Sequence, residues 1–124
     1  MKRDMDLVRE LLMHIESAPD RFVGLPELND HPRADLIEHV RLCADAGLLE
    51  AKFFNALDPE EDDVHNVRLT WSGHEFLDAT RSPEIWEKAK SGAEKVESTS
   101  LKLLFEIASG YAKAELGRLG VPMI

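Results

Sequence analysis

Pro32-Arg33-Ala34-Asp35-Leu36-Ile37-Glu38-His39-Val40-Arg41-Leu42-Cys43-Ala44-Asp45-Ala46-Gly47-Leu48-Leu49-Glu50-Ala51-Lys52-Phe53 changes its hydrophobic period once, at Gly47. Before the glycine, Leu36, Ile37, Val40, Cys43 and Ala44 recur at the three- and four-residue spacing of a helix buried along one face. Asp30 or His31 is placed to cap that helix, Pro32 suits its first position, and Gly47 stops it. After the glycine, Leu49, Ala51 and Phe53 alternate with Glu50 and Lys52, the two-residue period of a half-buried strand. Val67, Leu69 and Trp71 alternate in the same way with Arg68 and Thr70, so the pair reads as an antiparallel hairpin from Leu48 to Trp71. Its tip, Asn55 to Asp63, is long and turn-like.

Outward from this stretch the chain reads as helical. Met5, Val8, Leu11, Leu12 and Ile15 predict an amphipathic first helix, ending near Ser17 because Ala18 precedes Pro19 and is pushed out of helical geometry. Between Asp20 and Asp30 the segment Leu25-Pro26-Glu27-Leu28 has room for at most one turn of helix. Beyond the hairpin, Ser72 and Glu75 are spaced as a capping box for a helix through Leu77. Ser82-Pro83 opens another helix with Ile85, Trp86, Ala89 and Ala93, and a last helix is expected from Ser98 or Ser100 to about Arg118, closed by Gly120 and Pro122. The expected fold class is therefore mainly α with a small β-hairpin. Its order is that of a winged helix-turn-helix core over residues 1–80, with a helical extension over 81–124 in the same single domain.

Composition narrows the functional classes. With 44% hydrophobic and 31% charged residues in 124, the chain has the balance of a folded protein, and no apolar run approaches the length of a membrane span. Asp4 and Asp6 interrupt the start where a signal peptide would build its apolar stretch, so a cytoplasmic location is expected. Cys43 is the single cysteine, which excludes an internal disulfide and any multi-cysteine metal site within one chain. The net charge of −9 is concentrated in the first half and in the tip, where residues 58–63 hold five acids and no base.

Leu69-Thr70-Trp71-Ser72-Gly73-His74-Glu75-Phe76-Leu77-Asp78 with Trp86 beyond, the opening Met1-Lys2-Arg3-Asp4-Met5-Asp6-Leu7, and His39 followed by Ala46-Gly47-Leu48-Leu49 together resemble the bacterial and phage family catalogued as domain of unknown function 2513. The resemblance spans nearly the whole chain, and Ser72 departs from it where an acidic residue is expected. It implies small cytoplasmic proteins often found near mobile elements. It carries over no activity, substrate or catalytic residue.

Two groupings merit chemical scrutiny. His74-Glu75-Phe76-Leu77-Asp78 superficially resembles a zinc-protease helix, but Asp78 replaces the second histidine and no third ligand is identifiable. The better reading places Trp71, Phe76 and Leu77 in the core and leaves His74 as a surface or structural histidine. Asp35, His39 and Cys43 share one helical stripe, yet Cys43 falls on the apolar face as a small inert hydrophobe. His39, at the edge of that face, is expected to hydrogen-bond to a neighbouring segment. No phosphate loop, nucleophile elbow or dinucleotide fingerprint is present, so neither catalytic residue nor cofactor is expected.

If the hairpin is a wing, the helix from Pro32 to Ala46 is the one that would enter a DNA groove. Its outward face reads Asp35, Glu38, Leu42 and Asp45, flanked by Arg41, with Arg33 on the inward side. Three carboxylates facing phosphates disfavour DNA, and an exposed Leu42 suits a protein. A non-enzymatic regulatory or protein-interaction module is thus the leading expectation, with Glu38, Arg41, Leu42 and Asp45 facing the partner. A DNA-binding regulator using Arg33, Arg41 and Lys52 is the alternative. A homodimer is also expected, because Leu103, Ile107, Gly110 and Ala114 form a second small-to-apolar stripe on the last helix.

Overall fold

The computed structural model describes residues 2–19, 23–28, 30–98 and 100–120. Within them lie five α-helices and one two-stranded antiparallel sheet: α1 (Met5–Ser17), α2 (Arg33–Asp45), β1 (Leu49–Phe54), β2 (Asp63–Leu69), α3 (Trp71–Thr80), α4 (Pro83–Lys95) and α5 (Leu101–Arg118). They fall into two compact units, Met1–Glu75 and Phe76–Ile124, with the boundary within α3. None of the described helices is long and apolar enough to cross a membrane.

In the first unit, α1 starts because the Asp4 carboxylate accepts from the Leu7 N–H at 3.2 Å, and it ends where Ala18 turns extended ahead of Pro19. Its spaced apolar residues Leu7, Val8, Leu11, Leu12 and Ile15 are all buried. α2 begins one residue later than the sequence suggests. Pro32 occupies the cap position itself, and no side chain caps the helix. Its end follows the expectation: Gly47 takes φ +79°, the Leu48 N–H reaches the Cys43 carbonyl at 2.9 Å, and the Gly47 N–H reaches that of Ala44 at 3.0 Å. These two bonds satisfy carbonyls left open by the helix end and aim the chain into β1.

The ribbon pairs Leu49 with Leu69 and Glu50 with Arg68, then Lys52 with His65 and Phe53 with Val64. One extra residue therefore sits in β2, and Asn66, at φ +54°, marks the bulge. The bulge lets Val64 and Val67, three apart, both point inward, where simple alternation would expose one of them. Val23 adds an isolated bridge to Val67, with N–H to O distances of 3.0 and 2.8 Å in the two directions. At the tip, Pro59–Glu61 makes one turn of 3-10 helix capped by the Asp58 carboxylate.

The strand pattern overreaches at its end. Thr70, not Ser72, starts α3: its N–H closes onto the Leu48 carbonyl at 3.1 Å while its hydroxyl accepts from the Gly73 N–H at 3.1 Å. Trp71 is accordingly the first helical residue and not the last inward residue of a strand. About 120° of helix separates it from the buried Leu77. It is 80% exposed, and its assignment to the core is corrected. Phe76 and Leu77 are buried as expected.

In the second unit, Ser82 caps α4 through the Ile85 N–H and Ser100 caps α5 through the Leu103 N–H. Trp86, Ala89 and Ala93 of α4 are buried, as are Leu104 and Ala108 of α5. The Trp86 indole meets the Phe76 ring edge to face at 6.3 Å.

Candidate functional site

The two arginines of α2 are held by the acidic tip of the ribbon. Arg33 donates to the Glu60 carbonyl at 3.1 Å and to the Asp63 carboxylate at 3.2 Å. Arg41 pairs with Asp62 at 3.4 Å and with Glu38 at 3.5 Å, donates to the Asn55 side chain, and lies 4.7 Å over the Phe53 ring. Asp62 in turn accepts from the Ala56 N–H at 2.7 Å, which fixes the tip against α2. The Asp63 carboxyl lies below the usual carboxylate range, chiefly through the His65 ring at 2.9 Å, then the Val64 N–H, with Arg33 adding to it. Arg33 is exposed and turned toward the tip, which corrects its inward placement: in the first turn the side chain follows the nearby acids and not the apolar stripe.

Apart from Arg33, which is exposed but bonded to the tip, the charged residues that α2 leaves to solvent are acidic. Asp45 is exposed, as is Glu38 apart from its bond to Arg41, while Asp35 is half-buried. Leu42, expected to be exposed, is half-buried. Lys52 is exposed and has no ion pair among the described residues. Of the three candidate DNA-contacting cations, Arg33 and Arg41 are engaged by the tip.

His39 is 2% exposed, and both ring nitrogens are used. Nε2 accepts from the Asp4 N–H at 2.9 Å, and because a backbone N–H can only donate, the ring proton sits on Nδ1, 2.8 Å from the Asp35 carbonyl. The ring thus ties the start of α1 to α2. Asp35 enters through its backbone, so the stripe is not a ligand set. Burial pushes the Cys43 thiol up from its ordinary 9.0 to about 12. His74 is exposed, with Nδ1 3.8 Å from the Glu16 carboxylate. No three His, Cys, Asp or Glu side chains among the described residues are grouped to hold a metal ion.

Cys43 supplies a pH prediction. The folded thiol stays protonated while the unfolded one ionises near 9.0, so its contribution is intact below pH 9 and falls as pH rises toward 12, by about 1.4 kcal/mol per pH unit. Urea midpoints at pH 8 and pH 10.5 should separate wild type from Cys43→Val by about 2 kcal/mol more at the higher pH. Equal alkaline losses in both proteins would contradict the burial of the thiol.

A cleft of about 660 Å³ opens between the loop 23–28, the start of α2 and Asp63–Asn66, with Leu36 and Val64 in its floor and His31, Arg33 and His65 at its rim. Hydrophobic periodicity carries no signal for it, since it depends on where the loop runs after the Val23 bridge. Periodicity carries no signal for the exposure of Trp71 either. In the second unit, Leu103 and Ile107 of the expected dimer stripe are half-buried, while Gly110 and Ala114 are exposed. Ile107 packs toward Gly92, where an added Cβ would meet its methyls at 3.4 and 3.6 Å, so α4 already covers part of that stripe.

Fold and surface define a mainly helical protein whose two-stranded ribbon is pinned by its acidic tip to one helix. The family model described as Hypothetical protein (DUF2513) matches residues 2–100, and the chain belongs to that family. The match ends at Ser100, the cap of α5. The chain is also 30% identical over 127 residues to an uncharacterized protein of Haemophilus influenzae, covering 96% of this chain and 98% of that relative. No solved structure matches.

Proposed function

We propose that residues 1–80 are a winged helix-turn-helix unit acting as a non-enzymatic regulatory module that binds protein and not DNA. The order helix, bridge at Val23, helix, ribbon supports the winged-helix assignment, with α2 in the place of the reading helix and the ribbon as its wing. One observation carries the choice of partner: Arg33 and Arg41 are bound to the wing's acids, which leaves Lys52 as the one candidate DNA-contacting cation without an ion pair among the described residues, beside the exposed acids Glu38 and Asp45. DNA binding draws its strength from cations placed on phosphates, and a surface built this way repels them. A protein partner has no such requirement.

Co-purification of the tagged protein from its native host, assayed separately for protein and nucleic acid, tests the reading. The expected outcome is a partner protein retained after nuclease treatment. Recovery of nucleic acid alone, lost on nuclease treatment, would contradict it.

A further inference from the structure

We propose that α5 is an interface between two copies of this chain, paired antiparallel about a two-fold axis at the helix midpoint, with Glu106 of each copy on Lys113 of the other. The inference is independent of the protein-binding reading above. α4 follows the side of α5 that carries Ile107 and Tyr111: Ile107 packs toward Gly92, and the Lys88 ammonium sits 5.6 Å from the Tyr111 ring. At about 100° per residue, Lys102, Glu106, Ser109, Lys113 and Leu116 lie about 140° to 180° around the helix from Tyr111. This far side is open. Lys102, Glu106, Lys113 and Leu116 are exposed, and Ser109 is half-buried. None of the three charged residues has an ion pair among the described residues.

The order of the charges names the occupant. α5 runs from Leu101 to Arg118, so its midpoint falls between residues 109 and 110. An antiparallel copy overlapping it over the full length sets residue 101 against residue 118 and, by the same count, Glu106 against Lys113 and Lys113 against Glu106. Such reciprocity is what a two-fold interface demands of its residues, whereas an unrelated protein has no use for it. In the same register Lys102 falls opposite Gly117 and meets no like charge there. The small Ser109 lies at the crossing, and the exposed Leu116 comes within one turn of the second copy's half-buried Phe105. A parallel pairing would instead set Glu106 on Glu106 and Lys113 on Lys113. The face differs from the stripe of Leu103, Ile107, Gly110 and Ala114, part of which α4 already occupies.

Sedimentation equilibrium of the full chain at about 150 mM salt tests the pairing. A monomer–dimer equilibrium is expected with Kd on the order of 10⁻⁵ M, since two helices alone make an interface at the small end of the range. Glu106→Lys and Lys113→Glu each turn both contacts into like-charge pairs and should each weaken the dimer about tenfold or more. The exchanged protein carrying both substitutions should return to within about threefold of wild type, and an equimolar mixture of the two single variants should form a heterodimer that neither forms alone. Circular dichroism of each variant should match wild type, because both positions are exposed. A wild type that stays monomeric to about 1 mM would overturn the proposal, as would a dimer that the single reversals leave unchanged. Neither result would bear on the protein-binding reading.

Discussion

Gly73→Ala should cost the protein at least about 3 kcal/mol, seen as a melting midpoint lower by more than about 10 °C. A Cβ at this position would stand less than 3.0 Å from the Leu48 carbonyl oxygen and 3.1 Å from its carbon. Those are backbone atoms, and the same oxygen accepts the Thr70 N–H that ends the ribbon, so neither side can move without breaking the junction of β1, β2 and α3. Overpacking a side chain is often absorbed by a rotamer change, whereas overpacking backbone is not. Gly110→Ala is the matched control, because no atom lies within 4 Å of the added Cβ and a mid-helix glycine gains up to about 1 kcal/mol on replacement. A Gly73→Ala protein melting within 3 °C of wild type, by ~0.5 kcal/mol or less, would refute the close approach.

His39→Ala should destabilise by about 3 kcal/mol, from the cavity left by a buried ring together with the lost bonds to Asp4 and Asp35. The loss has a location. With Nε2 gone, the Asp4 N–H loses its partner, and amide exchange at the first turn of α1 should rise more than exchange in α4 or α5. A uniform rise, or a loss under about 1 kcal/mol, would mean that the ring does not hold α1 to α2.

Most helix ends were legible because their chemistry is local. Pro19, Gly47, Ser82 and Ser100 each act through their own or adjacent residues, and the structure ends or starts a helix at each. His39 and Cys43 were legible for a similar reason, since position on the α2 stripe decides burial. Trp71 was not, because its alternation with Leu69 and Val67 continues past the point where Thr70 bonds to Leu48 and ends the strand. The bulge at Asn66 escaped for the same cause: period counting assumes one residue against one. The candidate surface was half legible. Its acidity could be counted, but that the tip folds back onto Arg33 and Arg41 depends on contacts 21 to 30 residues apart in sequence.

Those ion pairs are also where the functional reading is most exposed to refutation. A fluorescein-labelled random-sequence duplex, titrated by anisotropy at about 150 mM salt, measures whether the cations of α2 are available to phosphates. With Arg33 and Arg41 committed to the wing, no binding tighter than the non-specific range of about 10⁻⁴ to 10⁻⁶ M is expected. Tighter, salt-dependent binding that weakens in Arg41→Ala or Lys52→Ala would contradict the protein-binding assignment and make the helix and wing a DNA reader.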